Sequence, residues 1–291
     1  MLNCVIYAVT DEGYEYLTDI ACGIKELLHT EGMELEVIRE DKMLAALRGE
    51  TDLLDLITGK SSLLVVSDSP ELVRMLKDKG FYVTGFYHPK NKNKIFEGVS
   101  YAVTDVEEVT AHTYKEVYCR QAGLPWDILE TERLCVRESM VEDVEDFYRI
   151  YGEPSITDYI EELFQDPEEE RAYMEAYIRQ MYGFYGFGMW TVIEKKTGRI
   201  IGRAGLDVRE GYELPELGFV IEKASQRKGY GKEVGIAILN YAKEELFFDS
   251  VQALVEKENL ASVRLLEYLG FTYERDVTER GREYQLLEKK L

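Results

Sequence analysis

The residues best suited to chemistry in this chain form a short glycine-bearing turn, Gln226-Arg227-Lys228-Gly229-Tyr230-Gly231. It lies between a strand-like run, Glu216 to Ile221, and a helix-like run, Lys232 to Leu246. The first amides of a helix have no intrahelical acceptor, and the helix dipole favours negative charge there, so such a turn reads as an anion site. Gly229 and Gly231 let the backbone curl and approach a phosphate with no Cβ in the way. Neither of the two common phosphate loops is written here. Glu233, not serine or threonine, follows Lys232, and no glycine stands two residues before Gly229. That excludes the P-loop and the dinucleotide fingerprint. A second polar group lies downstream. Asn259-Leu-Ala-Ser262 opens a short helix-like stretch that ends in Gly270-Phe271, and a strand-like run, Val251 to Val255, separates the two groups.

The surrounding pattern supplies the elements that must hold these groups. Leu134 to Glu138, Gly188 to Ile193 and Ile200 to Leu206 read as strands, with a hairpin turn at Lys195-Lys-Thr-Gly198. Val141 to Ile150 reads as a helix. Asp166-Pro167-Glu-Glu-Glu starts a longer one, with an N-cap, proline at the first position and acidic residues in the first turn. Tyr273 and Tyr284 fall in a closing hairpin with Gly281 near its turn. Upstream, residues 1 to about 124 alternate strand and helix. Val5 to Val9, Glu34 to Ile38, Leu63 to Val66, Tyr82 to Phe86 and Tyr101 to Thr104 read as strands. Tyr14 to Leu28 has helical spacing. Ser69 and Pro70 open a helix from Glu71 to Lys79 that Gly80 stops. This β-α-β rhythm implies a small open, mostly parallel sheet. The domain boundary falls in Leu124-Pro-Trp-Asp-Ile-Leu-Glu-Thr-Glu, with Trp126 and Ile128 available to pin the linker.

Composition narrows the partners. The chain has 291 residues, and 35 basic against 56 acidic residues give a net charge of -21. Such a surface repels nucleic-acid phosphates and anionic membrane, and it attracts cationic amines. No run approaches the ~20 apolar residues that span a bilayer. Cys4, Cys22, Cys119 and Cys135 are scattered, without Cys-x-x-Cys or a neighbouring histidine, and read as free thiols of a cytoplasmic protein with no metal site. A homodimer stays open.

The pattern Gln-x-x-Gly-x-Gly, followed by a strand and then by Asn-x-x-Ser leading to Gly-Phe, resembles the two acyl-CoA signatures of the GNAT acetyltransferase superfamily. The resemblance covers the C-terminal half. Gly188-Met189-Trp190 and Thr197-Gly198-Arg-Ile-Ile-Gly202 add a likeness to the branch that includes ribosomal-protein N-terminal acetyltransferases. The fold class implied is α/β: a small Rossmann-like domain over residues 1–124 and a GNAT α+β domain over 125–291, with a mixed, mostly antiparallel sheet. The implied cofactor is acetyl-CoA as co-substrate. Phe219, Val220 and Ile221 would offer backbone to its pantetheine arm. Gln226, Arg227, Lys228, Gly229, Tyr230, Gly231 and Lys232 would cradle its pyrophosphate. Asn259 would hold pantetheine or an ordered water, and Ser262 the sulfur. Glu216 is the implied general base, with Glu213 as the alternate. All three histidines, His29, His88 and His112, lie in the first half. Leu266 occupies the place where the family often has a general-acid tyrosine. The acceptor pocket is expected from Ile156 to Phe164 and from Tyr182, Tyr185, Phe187 and Trp190. Two functions follow: an N-acetyltransferase acting on a primary amine, or a non-enzymatic acyl-CoA sensor.

Ser67-Asp68-Ser69 through Gly80 resembles, over about residues 60 to 110, the core of the haloacid-dehalogenase superfamily. That family's Asp-x-Asp nucleophile motif would fall at Ala8 to Asp11, where the sequence is Ala-Val-Thr-Asp. The departure implies a domain without phosphoryl-transfer chemistry, with Asp68 as a turn or cap residue.

Overall fold

The structure is a computed structural model that describes residues 2–50, 62–99, 101–160 and 162–291. It has two compact units, Met1–Leu124 and Pro125–Leu291. Among the described residues no helix is long and apolar enough to cross a membrane.

The first unit is built on a five-stranded parallel sheet in the order β2-β1-β3-β4-β5. The strands are β1 Cys4–Val9, β2 Glu34–Arg39, β3 Leu63–Ser67, β4 Tyr82–Phe86 and β5 Ala102–Val103. Among the described residues its helices are α1 Asp11–Thr18, α2 Ala21–Thr30, α3 Glu40–Leu47, α4 Pro70–Asp78 and α5 Ala111–Gln121. Every residue of β1 is buried, and successive residues face opposite sides of the sheet. Val5, Tyr7 and Val9 join one apolar cluster, and Cys4, Ile6 and Ala8 join the other. A parallel sheet covered on both faces needs this continuous apolar run. Ser69 caps α4, its side chain accepting from the Leu72 amide. The single helix expected from Tyr14 to Leu28 is instead two. The first begins earlier, where the Thr10 side chain accepts from the Gly13 amide, and the break falls at Asp19 and Ile20.

Asp68 is fully buried at the carboxyl end of β3 and is not the cap of α4. It accepts from the Thr10 amide at 2.7 Å and from the Thr10 hydroxyl, and pairs with His88 Nε2 at 3.0 Å. A buried carboxylate is held only by such partners. It thereby ties the ends of β1 and β4 to β3. Residues 60, 61 and 100 of the stretch read as dehalogenase-like lie outside the described residues.

The second unit is an eight-stranded sheet in the order β12-β13-β11-β10-β9-β8-β7-β6. The strands are β6 Asp127–Glu130, β7 Leu134–Arg137, β8 Met189–Glu194, β9 Arg199–Asp207, β10 Glu216–Ile221, β11 Ser250–Val255, β12 Thr272–Glu279 and β13 Arg282–Lys290. Only β10 and β11 run parallel; every other neighbouring pair is antiparallel. The helices are α6 Val144–Tyr151, α7 Pro154–Thr157, α8 Pro167–Tyr177, α9 Tyr230–Glu244 and α10 Leu260–Tyr268. A π-helical stretch, Ile178–Tyr185, extends α8 to Gly186, whose φ of 80° stops it. The stretch expected to carry the boundary contributes β6, with Trp126 and Ile128 buried around exposed Asp127.

α6 is anchored by a buried network. Asp143 receives Arg137 through two bonds of 2.7 Å, the Met140 amide at 2.9 Å and the Thr191 hydroxyl at 2.7 Å. Removing one partner of a buried ion pair strands the other. Asp143→Ala is therefore expected to destabilise the fold by about 3–5 kcal/mol, read from the urea midpoint. A loss below about 1 kcal/mol would put this pair among exposed ones.

Candidate active site

The site starts where β10 and β11 part. On one side β10 pairs with β9 over all six residues, from Glu216↔Asp207 to Ile221↔Gly202. On the other side a single register pair, Glu216↔Gln252, joins it to β11, and the Gln252 amide donates to the Pro215 carbonyl at 2.9 Å. Beyond that pair the strands splay. The edge of β10 from Leu217 to Ile221 is left without a registered partner on the β11 side, and Phe219 and Val220 lie along it half-buried.

The chain then turns through Gln226, whose side-chain amide donates to the Ile221 carbonyl at 3.0 Å. Arg227 and Gly229 take positive φ, 61° and 87°. This curls the backbone into α9. Among the described residues no group accepts from the amides of residues 227 to 232, six in succession. Arg227, Lys228 and Gly229 are exposed. Tyr230 is different. Its ring is buried under the Arg133 guanidinium at 4.5 Å and its hydroxyl donates to Glu194, so only its amide faces the turn. Arg133 braces the loop from outside by donating to the Lys228 carbonyl at 2.9 Å while Glu233 holds it through Nε at 2.6 Å. A Cβ on Gly229 would stand 3.3 Å from Arg133, and one on Gly231 3.1 Å from Leu265.

α10 packs beside the first turns of α9 through Leu265 and Leu269, and Lys232 Nζ sits 3.6 Å above the Tyr268 ring. Asn259 is its N-cap, accepting from the Ser262 amide at 3.2 Å. Both are half-buried. Leu266 points into the core. Residues 154 to 159 reach both arms of the splay. Ser155 accepts from Lys223, just after β10, at 3.0 Å, and the Tyr159 hydroxyl donates to the Glu258 carbonyl, just after β11, at 3.4 Å. Glu161, within the pocket stretch expected from Ile156 to Phe164, lies outside the described residues.

Glu216 stands at the root of the splay, with its side chain 13% exposed. Arg209 grips it through Nε and, at 3.3 Å, through Nη2. Burial pushes the Glu216 carboxyl above the ordinary glutamate range. Arg209 opposes the rise, and the charges of Asp207 and Glu279 add to it. Asp207, directly across the β9–β10 pair, is also raised by burial. Asp207 and Arg209 were not among the expected site residues and adjoin Glu216 only in the fold. Asp207 and Glu216 flank the eight-residue β9–β10 connection, and Arg209 lies within it. Glu213 is exposed.

Three of the four rings expected to line an acceptor pocket are buried. Trp190 is fully buried, with its ring edge-on to Tyr241 of α9. Tyr182 is buried and donates to the Met189 carbonyl while accepting from the Ser139 amide. Phe187 is buried against Phe248. These three are core. Tyr185 alone of the four keeps an exposed ring.

Residues 133–272 match the family model described as acetyltransferase (GNAT) domain. The uncharacterized protein YkkB of Bacillus subtilis (strain 168) is 26% identical over 146 residues, covering 50% of this chain and 84% of that protein. The probable N-acetyltransferase YjcK of the same organism is 30% identical over 130 residues, 44% of this chain and 61% of its own length. Among solved structures, RimL, the ribosomal L7/L12 alpha-N-protein acetyltransferase, superposes with a TM-score of 0.50 at 11% identity over 58% of this chain and 96% of that one. That likeness concerns the fold. The splayed sheet and the matched domain define an acyltransferase. The match places a GNAT acetyltransferase domain at residues 133–272 of this chain.

Gly229→Val tests the loop directly. At a φ of 87° a β-branched side chain is strained, and its methyls would crowd Arg133. The strain is expected to cost about 1–3 kcal/mol, and CoA affinity measured by calorimetry should fall at least tenfold, by about 1.4 kcal/mol. Unchanged CoA affinity in a folded variant would remove the loop from the site.

Proposed function

We propose that the chain transfers an acetyl group from acetyl-CoA to a primary amine, on a small molecule or a protein N-terminus, by direct attack of the amine. The observation that carries this reading is the run of six amides without acceptors, residues 227 to 232, next to the open edge of β10. The chain's own groups fit the donor. Those amides and the start of α9 suit a pyrophosphate, with exposed Arg227 and Lys228 adding charge. The backbone of Phe219, Val220 and Ile221 suits the amides of a pantetheine arm. When bound, acetyl-CoA supplies the acyl group as a thioester.

The residues around it do the rest. Glu216 takes the proton that the attacking amine must lose, directly or through one water. Its raised proton affinity makes it a stronger base once ionised. Asn259 holds the start of α10. The Ser262 hydroxyl, which has no hydrogen bond among the described residues, is available to the departing sulfur. The first unit takes no part in the chemistry under this reading, since Asp68 is committed to Thr10 and His88.

The test is calorimetric titration with acetyl-CoA, followed by a CoA-release assay against pooled amines, polyamines, amino acids and peptide N-termini. Binding with turnover supports the reading. Binding without turnover supports the acyl-CoA sensor, which the buried Leu266 at the family's tyrosine position favours. Absence of binding overturns both.

A further inference from the structure

Gln252 is buried to 2% exposure, and its side-chain nitrogen Nε2 has no hydrogen-bond partner. A buried amide donor left unmade costs free energy, so such an orphan calls for an explanation. Its place supplies one. Gln252 forms the single register pair between β11 and β10, opposite Glu216, and Glu216 is in turn opposite Asp207. Registered residues share a sheet face. Asp207, Glu216 and Gln252 therefore stand in one row at the root of the splay. The row belongs to the face that carries Arg203, four residues before Asp207 on β9. Arg203 lies over the rings of Phe147 in α6 and Tyr177 in α8, at 4.7 and 5.8 Å. α9 covers the other face, where Tyr241 meets Trp190. The row thus looks away from α9.

We infer that Gln252 is a specificity-determining residue, whose Nε2 donates to a carbonyl oxygen adjacent to the acceptor amine. This inference rests on the acetyl-transfer reading and names its acceptor class: an amino-acid amide or a peptide N-terminus, in preference to a simple alkylamine or polyamine. The dimensions agree. Neighbouring strands lie about 4.8 Å apart. An α-amine and the oxygen of its own carbonyl lie roughly 3 Å apart, from standard backbone bond lengths. One carboxylate and one amide donor side by side on adjacent strands suit those two groups together. Carboxylates alone would attract any amine. The donor is what distinguishes an acceptor that carries a carbonyl, because a site built to donate a hydrogen bond discriminates strongly against an analogue lacking the acceptor.

The experiment compares L-alaninamide with isopropylamine, which carries a methyl group in place of the carboxamide, in the full chain and in Gln252→Leu. The wild-type to variant ratio for each amine removes their difference in basicity. Loss of kcat/KM of about 5- to 150-fold on alaninamide, with isopropylamine unchanged, is expected from one donor. Gln252→Leu should not lower the thermal midpoint, because it deletes an orphaned donor at similar volume. Gln252→Met, which keeps the length but carries neither a donor nor a charge, should repeat the selective loss and covers the case of a misfolded leucine variant. Equal loss on both amines, or none on alaninamide, overturns the inference and leaves acetyl transfer standing. Failure of the wild type to acetylate either amine, or any of the pooled acceptors, overturns acetyl transfer and the inference with it.

Discussion

Glu216→Gln is expected to lower kcat by about 10²–10⁴-fold, the usual contribution of a general base, while CoA affinity stays unchanged. Glutamine keeps the shape of the side chain and a carbonyl oxygen for Arg209, and Arg209 retains Glu279 at 3.4 Å, so the fold should persist. What is lost is the ability to take a proton. The pH profile gives a second readout. The Glu216 carboxyl is raised, by burial first. Only its ionised form accepts a proton, so kcat/KM should climb as pH rises through its pKa, on a limb above the ordinary glutamate range near 4.3. Glu216→Gln should flatten that limb. A wild-type limb that survives in the variant would assign it to another group, and Asp207, also raised by burial, is the neighbour to replace next. Full activity in Glu216→Gln would reduce Glu216 to a structural partner of Arg209.

The glycine turn of the candidate site was legible in sequence because its physics is local. A glycine that must take positive φ, a strand before it and a helix after it are set by neighbouring residues, and Gly229 does take a φ of 87°. The row proposed for the acceptor is assembled from register. Nothing local distinguishes Gln252 from any other polar residue on a strand. Its importance appears only once β11 is laid beside β10 with one residue pair in contact. Likewise Arg209 matters because the β9–β10 connection folds it back onto Glu216. The aromatic residues failed for a related reason. Trp190 and Tyr182 are indistinguishable by type from cleft-lining rings, and their burial is decided by Tyr241 and Ser139, distant in sequence. In the first unit the short apolar strands were readable, whereas α3 and α5 were not. Their faces contribute only a few buried residues each, Met43 and Ala46 in one and Ala111, Tyr114, Val117 and Tyr118 in the other.

Gly202→Ala should couple stability to CoA binding more tightly than any change in the loop. Gly202 is paired with Ile221, and a Cβ there would lie 2.0 Å from the Val220 carbonyl oxygen and 3.1 Å from the Ile221 Cα. Backbone cannot rotate away as a side chain can. The substitution must push β10 off β9, at an overpacking cost of about 1–3 kcal/mol or more. It also displaces the residues whose backbone is proposed to hold the pantetheine arm. Both the urea midpoint and the CoA affinity from calorimetry are expected to fall together. Gly281→Ala is the control. Gly281 has a φ of 82° in the β12–β13 hairpin with open space around it, so alanine meets only left-handed strain of about 1–2 kcal/mol. It should lower stability and leave CoA affinity intact. If Gly202→Ala behaved like that control, losing stability but not affinity, the open edge of β10 would not be where the donor binds. The site would then reduce to the amides of the loop alone.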